Sequence, residues 1–316
     1  GGVLISTFSG GISNSGTITA AKNGIFVGGK SSFGGFVGIG TFTGGITNSG
    51  KIVASTGIVV GAQVFEFSGA IANSGTIIGT GGTAIDVSGA PNNMTIDVTG
   101  GAISGNILGA GTASGDTVNF ALGSGSFTYA NTITGMQAVN IASGTLFDSG
   151  TITAAGVTVE SGGTLAPGLP NTTGTLSIAG NLAFSGGDYE IQLTPSAHAS
   201  ATVSGNLTIN NGTVALSPSL GAHYSATTFS ILTYGGTLAG TFNPNVVYVS
   251  TVQLTNTPTI SYVPNNVDLS YGNSYADLAT PAGANANQQN VINGINNAIL
   301  AGDTIPAGFQ QLTGLS

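Results

Sequence analysis

The phrase GGISNSGTITA at residues 10–20 returns as GGITNSGKIVA at 44–54 and as GAIANSGTIIG at 69–79. No other feature restricts the fold as strongly, because a phrase that recurs this closely marks equivalent units of a repeat architecture. Asn14, Asn48 and Asn73 hold the same position in the three copies, with uneven spacing. LFDSGTITAAG at 146–156 is a looser fourth copy, with Asp148 in the asparagine position.

Each copy has the same mechanics. Ile12, Ile46 and Ile71 precede Asn-Ser-Gly, which reads as a turn: Asn tolerates left-handed backbone and Gly accepts positive φ. The following TITA, KIVA or TIIG puts an isoleucine on one face, as in a strand of about four residues. Short strands with frequent turns suit a solenoid with one copy per coil of about 20 to 30 residues. Each strand then pairs with its copy in the next coil, about 4.8 Å along the axis. A single coil cannot bury its isoleucines, whereas a stack buries them in a continuous column. Protruding loops change coil length without breaking the stack, and GGKSSFGGFVG at 28–38 reads as one.

The expected fold is therefore all-β: a right-handed parallel β-helix over 1–163, a C-terminal capping β region to about 270, and one short α-helix near the C-terminus. An up-and-down β-barrel needs longer strands with sustained alternation. Asn14, Asn48 and Asn73 are expected to form an internal ladder of amides bonded from coil to coil, the alternative being a ligand-binding row.

Composition narrows the function. Charged residues make up 4% of the chain, against about 25% in ordinary soluble proteins. The 41% of hydrophobic residues supports a core despite 54 glycines, which argues against disorder. A net charge of -8 with three lysines and no arginine opposes nucleic-acid or anionic-membrane binding. Without cysteine there are no disulfides or thiolate metal sites. No apolar run approaches the ~18 residues of a membrane-spanning helix. The chain opens on Gly1-Gly2-Val3, with neither initiator Met nor signal peptide, and reads as an internal fragment.

No catalytic, cofactor or metal residues are assigned. Asp86 and Asp97, in AIDVSG and TIDVTG, are the nearest approach to a glycosidase carboxylate pair. Both sit in alternating strands and are expected to face solvent or cap a turn. Asp188 and Glu190 flank Tyr189 and share a strand face, expected as an outward polar pair. His198 and His223 have no ligand partners at metal-binding spacing. Phe33, Phe36 and Phe42 are a possible surface contact, with Phe65 and Phe67 two apart on one face of the next coil, inward packing in the coil being the commoner fate of such aromatics.

From about residue 164 the text changes. TLAPGLPNTTGTLSIAGNLAFSGGDYEIQL (164–193) is followed by ATVSGNLTINNGTVAL (201–216) and YSATTFSILTYGGTLAGTF (224–242). SYVPNNVDLSY (261–271) and ANANQQNVINGINNAI (284–299) complete the series. This order resembles the C-terminal part of bacterial autotransporter (type V secretion) passengers. The likeness covers roughly 164–316 and rests on the sequence of pieces rather than on any one of them.

The resemblance implies a β-helical passenger over 1–163 and an autochaperone-like region over 164–270. A linker over 271–316 would lead toward an outer-membrane barrel, which this chain lacks, as it lacks the signal peptide. The linker helix, about 285–301, carries the apolar stripe Val291, Ile295 and Ile299 with Ile292 alongside. Gly302 marks its end. It could cap the stack or, as the family implies, occupy the barrel pore.

The function expected is that of a non-enzymatic adhesin-like passenger or structural stalk, at the outer membrane and cell surface of a Gram-negative bacterium or secreted after cleavage. Its partners would be its own barrel and host or bacterial surface glycans, proteins or other copies of itself, without cofactors. The alternative is a polysaccharide-degrading β-helix enzyme whose catalytic part lies mainly in a missing N-terminal region.

Overall fold

The computed structural model describes residues 4–28, 38–90 and 93–303. Through most of this chain, strands of successive coils pair in parallel, and the fold is an all-β parallel β-helix. Strand Ile12–Asn14 pairs in register with Ile46–Asn48, which pairs with Ile71–Asn73. The same ladder continues through Thr95–Val98 into Thr117–Tyr129. A neighbouring inward column runs Ile25, Ile58, Ile85, Ile107, Ile133, Ile152, Ile178 and Val203. All eight are buried. Each contributes about 1.5–3 kcal/mol of apolar burial, and only stacking makes that available.

The strands that follow the repeated turns, Thr17–Val27, Lys51–Val60 and Thr76–Asp86, are longer than the expected four residues. Thr132–Asp148 spans 17 residues and pairs on both sides. The chain turns corners through β-bulges instead of leaving the ladder. The register shift between Thr134 and Met136 falls at Gly135, with φ 73, and that between Ser104 and Asn106 at Gly105, with φ 115. Glycine supplies the positive φ that an extra residue in a bulge requires.

The ladder also runs unbroken across residue 164. Strand Gly163–Pro167 pairs with Thr132–Asp148 on one side and Asp188–Leu193 on the other. Winding changes at Thr227–Tyr234, which pairs in parallel with Ser200–Val203 but antiparallel with Asn266–Tyr271. Further antiparallel pairing joins Thr259–Val263 to Asn266–Tyr271, and Ser274–Leu278 to both His223–Tyr224 and Val252–Leu254. These strands close the C-terminal edge of the stack, which would otherwise present unpaired backbone groups.

The helix is Ala286–Ala301. Asn285 and Gln288 form a reciprocal capping box, and Gly302 ends the helix in the left-handed conformation, φ 84. It packs beside Ser274–Leu278, where the Asn296 side chain accepts from the Leu278 N–H and donates to its carbonyl, both at 2.9 Å. Ile299 is fully buried and Ile295 packs against the core, while Ile292 is half-buried. Val291 does not belong to this stripe: it is 60% exposed. The docked face follows the 292, 295, 299 spacing, and one residue back rotates Val291 about 100° away from it. Val291→Ser is accordingly expected to change the free energy of unfolding by no more than about 0.5 kcal/mol in a chemical denaturation series. A larger loss would place Val291 at a contact.

Candidate functional site

The repeated turns are fastened to one another by two sets of bonds. Asn14 Nδ2 donates to Asn48 Oδ1 at 2.8 Å, and Asn48 Nδ2 donates to Asn73 Oδ1 at 2.7 Å. The Asn14 carbonyl accepts from the N–H groups of Ser49 and Gly50, and the Asn48 carbonyl accepts from Ser74 and Gly75. Asn48 and Asn73 are wholly buried. The expected internal ladder and its register are thus present.

The reason for the sequence Asn-Ser-Gly differs from the expectation. None of these asparagines or glycines has positive φ. The glycine is required by close stacking: a Cβ on Gly50 would lie 2.1 Å from the Gly16 carbonyl oxygen, and one on Gly75 2.1 Å from that of Gly50.

The fourth copy keeps the local turn but sits on another part of the coil. Asp148 Oδ1 accepts from the Gly150 N–H at 2.7 Å. Its strand neighbours are Tyr129 and Pro167, and Ile152 stacks on Ile133 rather than in the column of Ile18, Ile52 and Ile77. Asp148 is fully buried, and its Oδ2 has no hydrogen-bond partner. Burial pushes its carboxyl up to about 7. Burial also raises the Tyr129 phenol, and the Asp148 charge adds to that. The Tyr129 hydroxyl donates to the Gly105 carbonyl at 2.9 Å.

On the outer surface a second ladder runs through Asp97, Asn119 and Asn140. Asn119 Nδ2 donates to Asp97 Oδ1 at 2.8 Å, and Asn140 Nδ2 donates to Asn119 Oδ1 at 2.9 Å. A row of hydroxyls, Thr132, Thr151, Ser177, Thr202 and Thr233, follows the coils on another face. At a third position Asn181 Oδ1 accepts from the Asn206 N–H, and Asn206 Oδ1 from the Thr237 N–H, at 2.8 and 2.9 Å. The recurrence of Gly-Asn-Leu at 180–182 and 205–207 was the signal for this last ladder. The Asp97 ladder rests on a looser recurrence, TIDV at 95–98, TVNF at 117–120 and AVNI at 138–141.

Residues considered for chemistry do not converge. Asp97 belongs to the outer ladder, whereas Asp86 caps its own turn through Ser88, accepting from its N–H at 3.0 Å. Asp188 and Glu190 are not an outward pair. Glu190 is 4% exposed and accepts from the Gln192 side-chain amide. Asp188 is half-buried. Burial raises both carboxyls, that of Glu190 to about 7. Strand Asp188–Leu193 is covered on both faces, a consequence of packing that alternation in the sequence does not reveal.

His198 stacks on Phe229 with ring centres 3.9 Å apart, its Nε2 is 3.2 Å from the Ser230 carbonyl, and burial lowers its pKa. It lines a shallow cleft of about 200 Å³ with Thr194, Thr227 and Tyr271. His223 stands edge-on to Tyr275, with Nε2 3.3 Å from the Ile299 carbonyl. Among the described residues there is no group of three or more His, Cys, Asp or Glu arranged to hold a metal ion, and no helix long and apolar enough to cross a membrane.

Phe42 is not a surface contact. It is 1% exposed and stacks between Phe8 and Phe67, with ring centres 5.1 and 4.9 Å away. Phe33 and Phe36 lie outside the described residues. Phe65 and Phe67 do not share a face: Phe65 is 57% exposed and Phe67 is 4% exposed, because the strand Val64–Ser68 buries its first and fourth residues. Aromatic side chains at an inward position gain more by stacking coil on coil than by exposure.

No protein-family model matches the chain, and no curated protein matches it.

Proposed function

We propose that this chain is a passenger segment of an autotransporter, held at the surface of a Gram-negative bacterium or released from it, and that it acts as an adhesive or structural rod. The observation that carries the reading is the outer surface. Uncharged hydroxyl and amide side chains recur there coil after coil, in the row from Thr132 to Thr233 and in the ladder through Asn119 and Asn140. Such rows offer many weak polar contacts at a fixed spacing, and weak contacts repeated along one body add through multivalency. Surface glycans, surface proteins and other copies of the chain are the partners this chemistry suits. The family resemblance supports the same reading, since its pieces fall on consecutive elements, from Thr175–Ser185 through Asp188–Leu193 to the closing helix.

The test is display of the full-length protein on cells. Attachment or self-aggregation is expected to increase over cells without it, and deletion of residues 1–163 is expected to reduce that increase. Equal attachment and aggregation by the deleted form would make these coils a stalk only.

A further inference from the structure

Three asparagines of the chain are followed by glycine: Asn23, Asn211 and Asn293. Such a pair can cyclise without an enzyme, because glycine has no side chain to keep its main-chain nitrogen away from the asparagine Cγ. The reaction needs that nitrogen free and the backbone unpinned. All three asparagines are exposed, so access of solvent does not separate them. Their backbone surroundings do.

Asn293 lies inside the helix Ala286–Ala301, where the N–H of the next residue is bonded to the carbonyl four positions before it. Asn23 lies in the strand Thr17–Val27 and pairs with Thr56. Asn211 belongs to neither helix nor strand. With Gly212 it forms the two-residue corner between Leu207–Asn210 and Thr213–Pro218. Neither its side chain nor the Gly212 N–H has a hydrogen-bond partner among the described residues.

The fold itself holds this pair of residue types at the corner. Asn211 has φ 55. Ser185 pairs with Asn210 and Asp188 with Thr213, so Gly186 is its counterpart one coil earlier, also left-handed at φ 83. Glycine enters this conformation freely and asparagine does so better than most other residues. A Cβ on Gly212 would lie 3.0 Å from the Phe184 Cβ and 3.1 Å from the Phe242 ring, and both of those residues are buried. The corner therefore calls for a left-handed residue and then a small one, and in this coil the first is asparagine.

We propose that Asn211 is a self-modifying site, converted in the folded protein to aspartate and isoaspartate, and that the isoaspartate form loosens its coil. The Gly212 nitrogen gives up its proton to solvent base and attacks Asn211 Cγ. A bond forms between that nitrogen and Cγ, the Cγ–Nδ2 bond breaks, and Nδ2 takes up a proton and leaves as ammonia. Water then opens the resulting cyclic imide. Breaking the new bond to Cγ gives aspartate. Breaking the bond to the Asn211 main-chain carbonyl carbon gives isoaspartate, whose chain runs on through Cβ and Cγ. One water is consumed, one ammonia is released, and nothing is oxidised or reduced. Isoaspartate lengthens the corner by one backbone atom beside the packed Phe184 and Phe242, which strains the pairing of Thr213–Pro218 with Asp188–Leu193.

The full 316-residue chain, folded, is aged at pH 8 and 37 °C. Amide-to-acid conversion is mapped by mass spectrometry of its peptides, and isoaspartate is read with an isoaspartate-specific methyltransferase. Residue 211 is expected to convert ahead of 23, and at least about tenfold faster than 293, whose cyclisation waits on local opening of the helix. In denaturant the three are expected to convert at similar rates, since the same neighbour follows each. Asn211→Gly, which repeats the residue of the preceding coil, is expected to keep the unfolding midpoint and to lose the fast conversion. Amide exchange over Thr213–Pro218 is expected to quicken on ageing in the wild type and not in the variant. Should the variant fold poorly, the order of conversion in the wild type decides the matter. An intact amide at 211 while 23 or 293 converts overturns the proposal, as do equal rates at the three positions in the folded chain. Exchange unchanged by isoaspartate at 211 overturns its second half.

Discussion

Asp148→Asn should stabilise the protein at pH 8 by about 2–4 kcal/mol and leave it nearly unchanged at pH 4. Asp148 is fully buried, one of its oxygens has no partner, and burial holds its carboxyl at about 7 against an ordinary 3.8. The folded state therefore binds the proton more tightly than the unfolded state. Below about pH 4 both states are protonated and the side chain imposes no ionic penalty. As pH rises toward 7 the unfolded chain ionises first, stability falls, and above 7 the full cost of a buried charge remains. Three pKa units correspond to about 4 kcal/mol.

Asparagine removes the titration while its Oδ1 can still accept from Gly150. Its Nδ2 gains the option Asn73 uses, donation to the carbonyl two residues on, at 3.0 Å there. Glu190, also raised to about 7 by burial, adds a slope of the same sign, so the variant should flatten part of the profile and not all of it. Denaturant midpoints from pH 4 to pH 8 test this. A wild-type profile that rises with pH over this range, or a variant less stable than wild type at pH 8, would show that Asp148 is ionised and satisfied.

Asn48→Leu should cost about 3 kcal/mol, although leucine matches asparagine in size and is more apolar. The substitution leaves Asn73 Oδ1 without its donor and Asn14 Nδ2 without its short acceptor. Asn73 is wholly buried, so no water replaces the lost bond, and an orphaned buried group costs about 1–3 kcal/mol. Asn14, 8% exposed, recovers part of its loss from solvent. The loss should be confined to the coils of Asn14, Asn48 and Asn73, because each coil contacts only its neighbours. Hydrogen exchange should quicken there and stay unchanged around Asn266–Tyr271. A stability equal to wild type would mean that the amides serve the turns without bonding one another.

Period and identity of residues were enough for the stack itself. Three copies of Asn-Ser-Gly with isoleucine on either side can bury those isoleucines only by superposition, so the ladder of Asn14, Asn48 and Asn73 follows from the chain alone. The helix was equally legible, since Ile295 and Ile299 recur at helical spacing and Gly302 is a local stop signal, although the capping box of Asn285 and Gln288 came only with the structure. What a residue meets across the coil was not legible. Asp148 shares its phrase with the asparagines yet stacks beneath Tyr129, because coil length, not local sequence, fixes which column a turn enters. Glu190 alternates like an outward residue and is buried all the same, and Phe42 looks available until Phe8 and Phe67 close on it. Gly50 reads as a turn glycine and is in fact a spacer beneath the carbonyl of Gly16. Local sequence determines the rung, but contacts between rungs join residues about twenty or more positions apart, and only the assembled stack decides them.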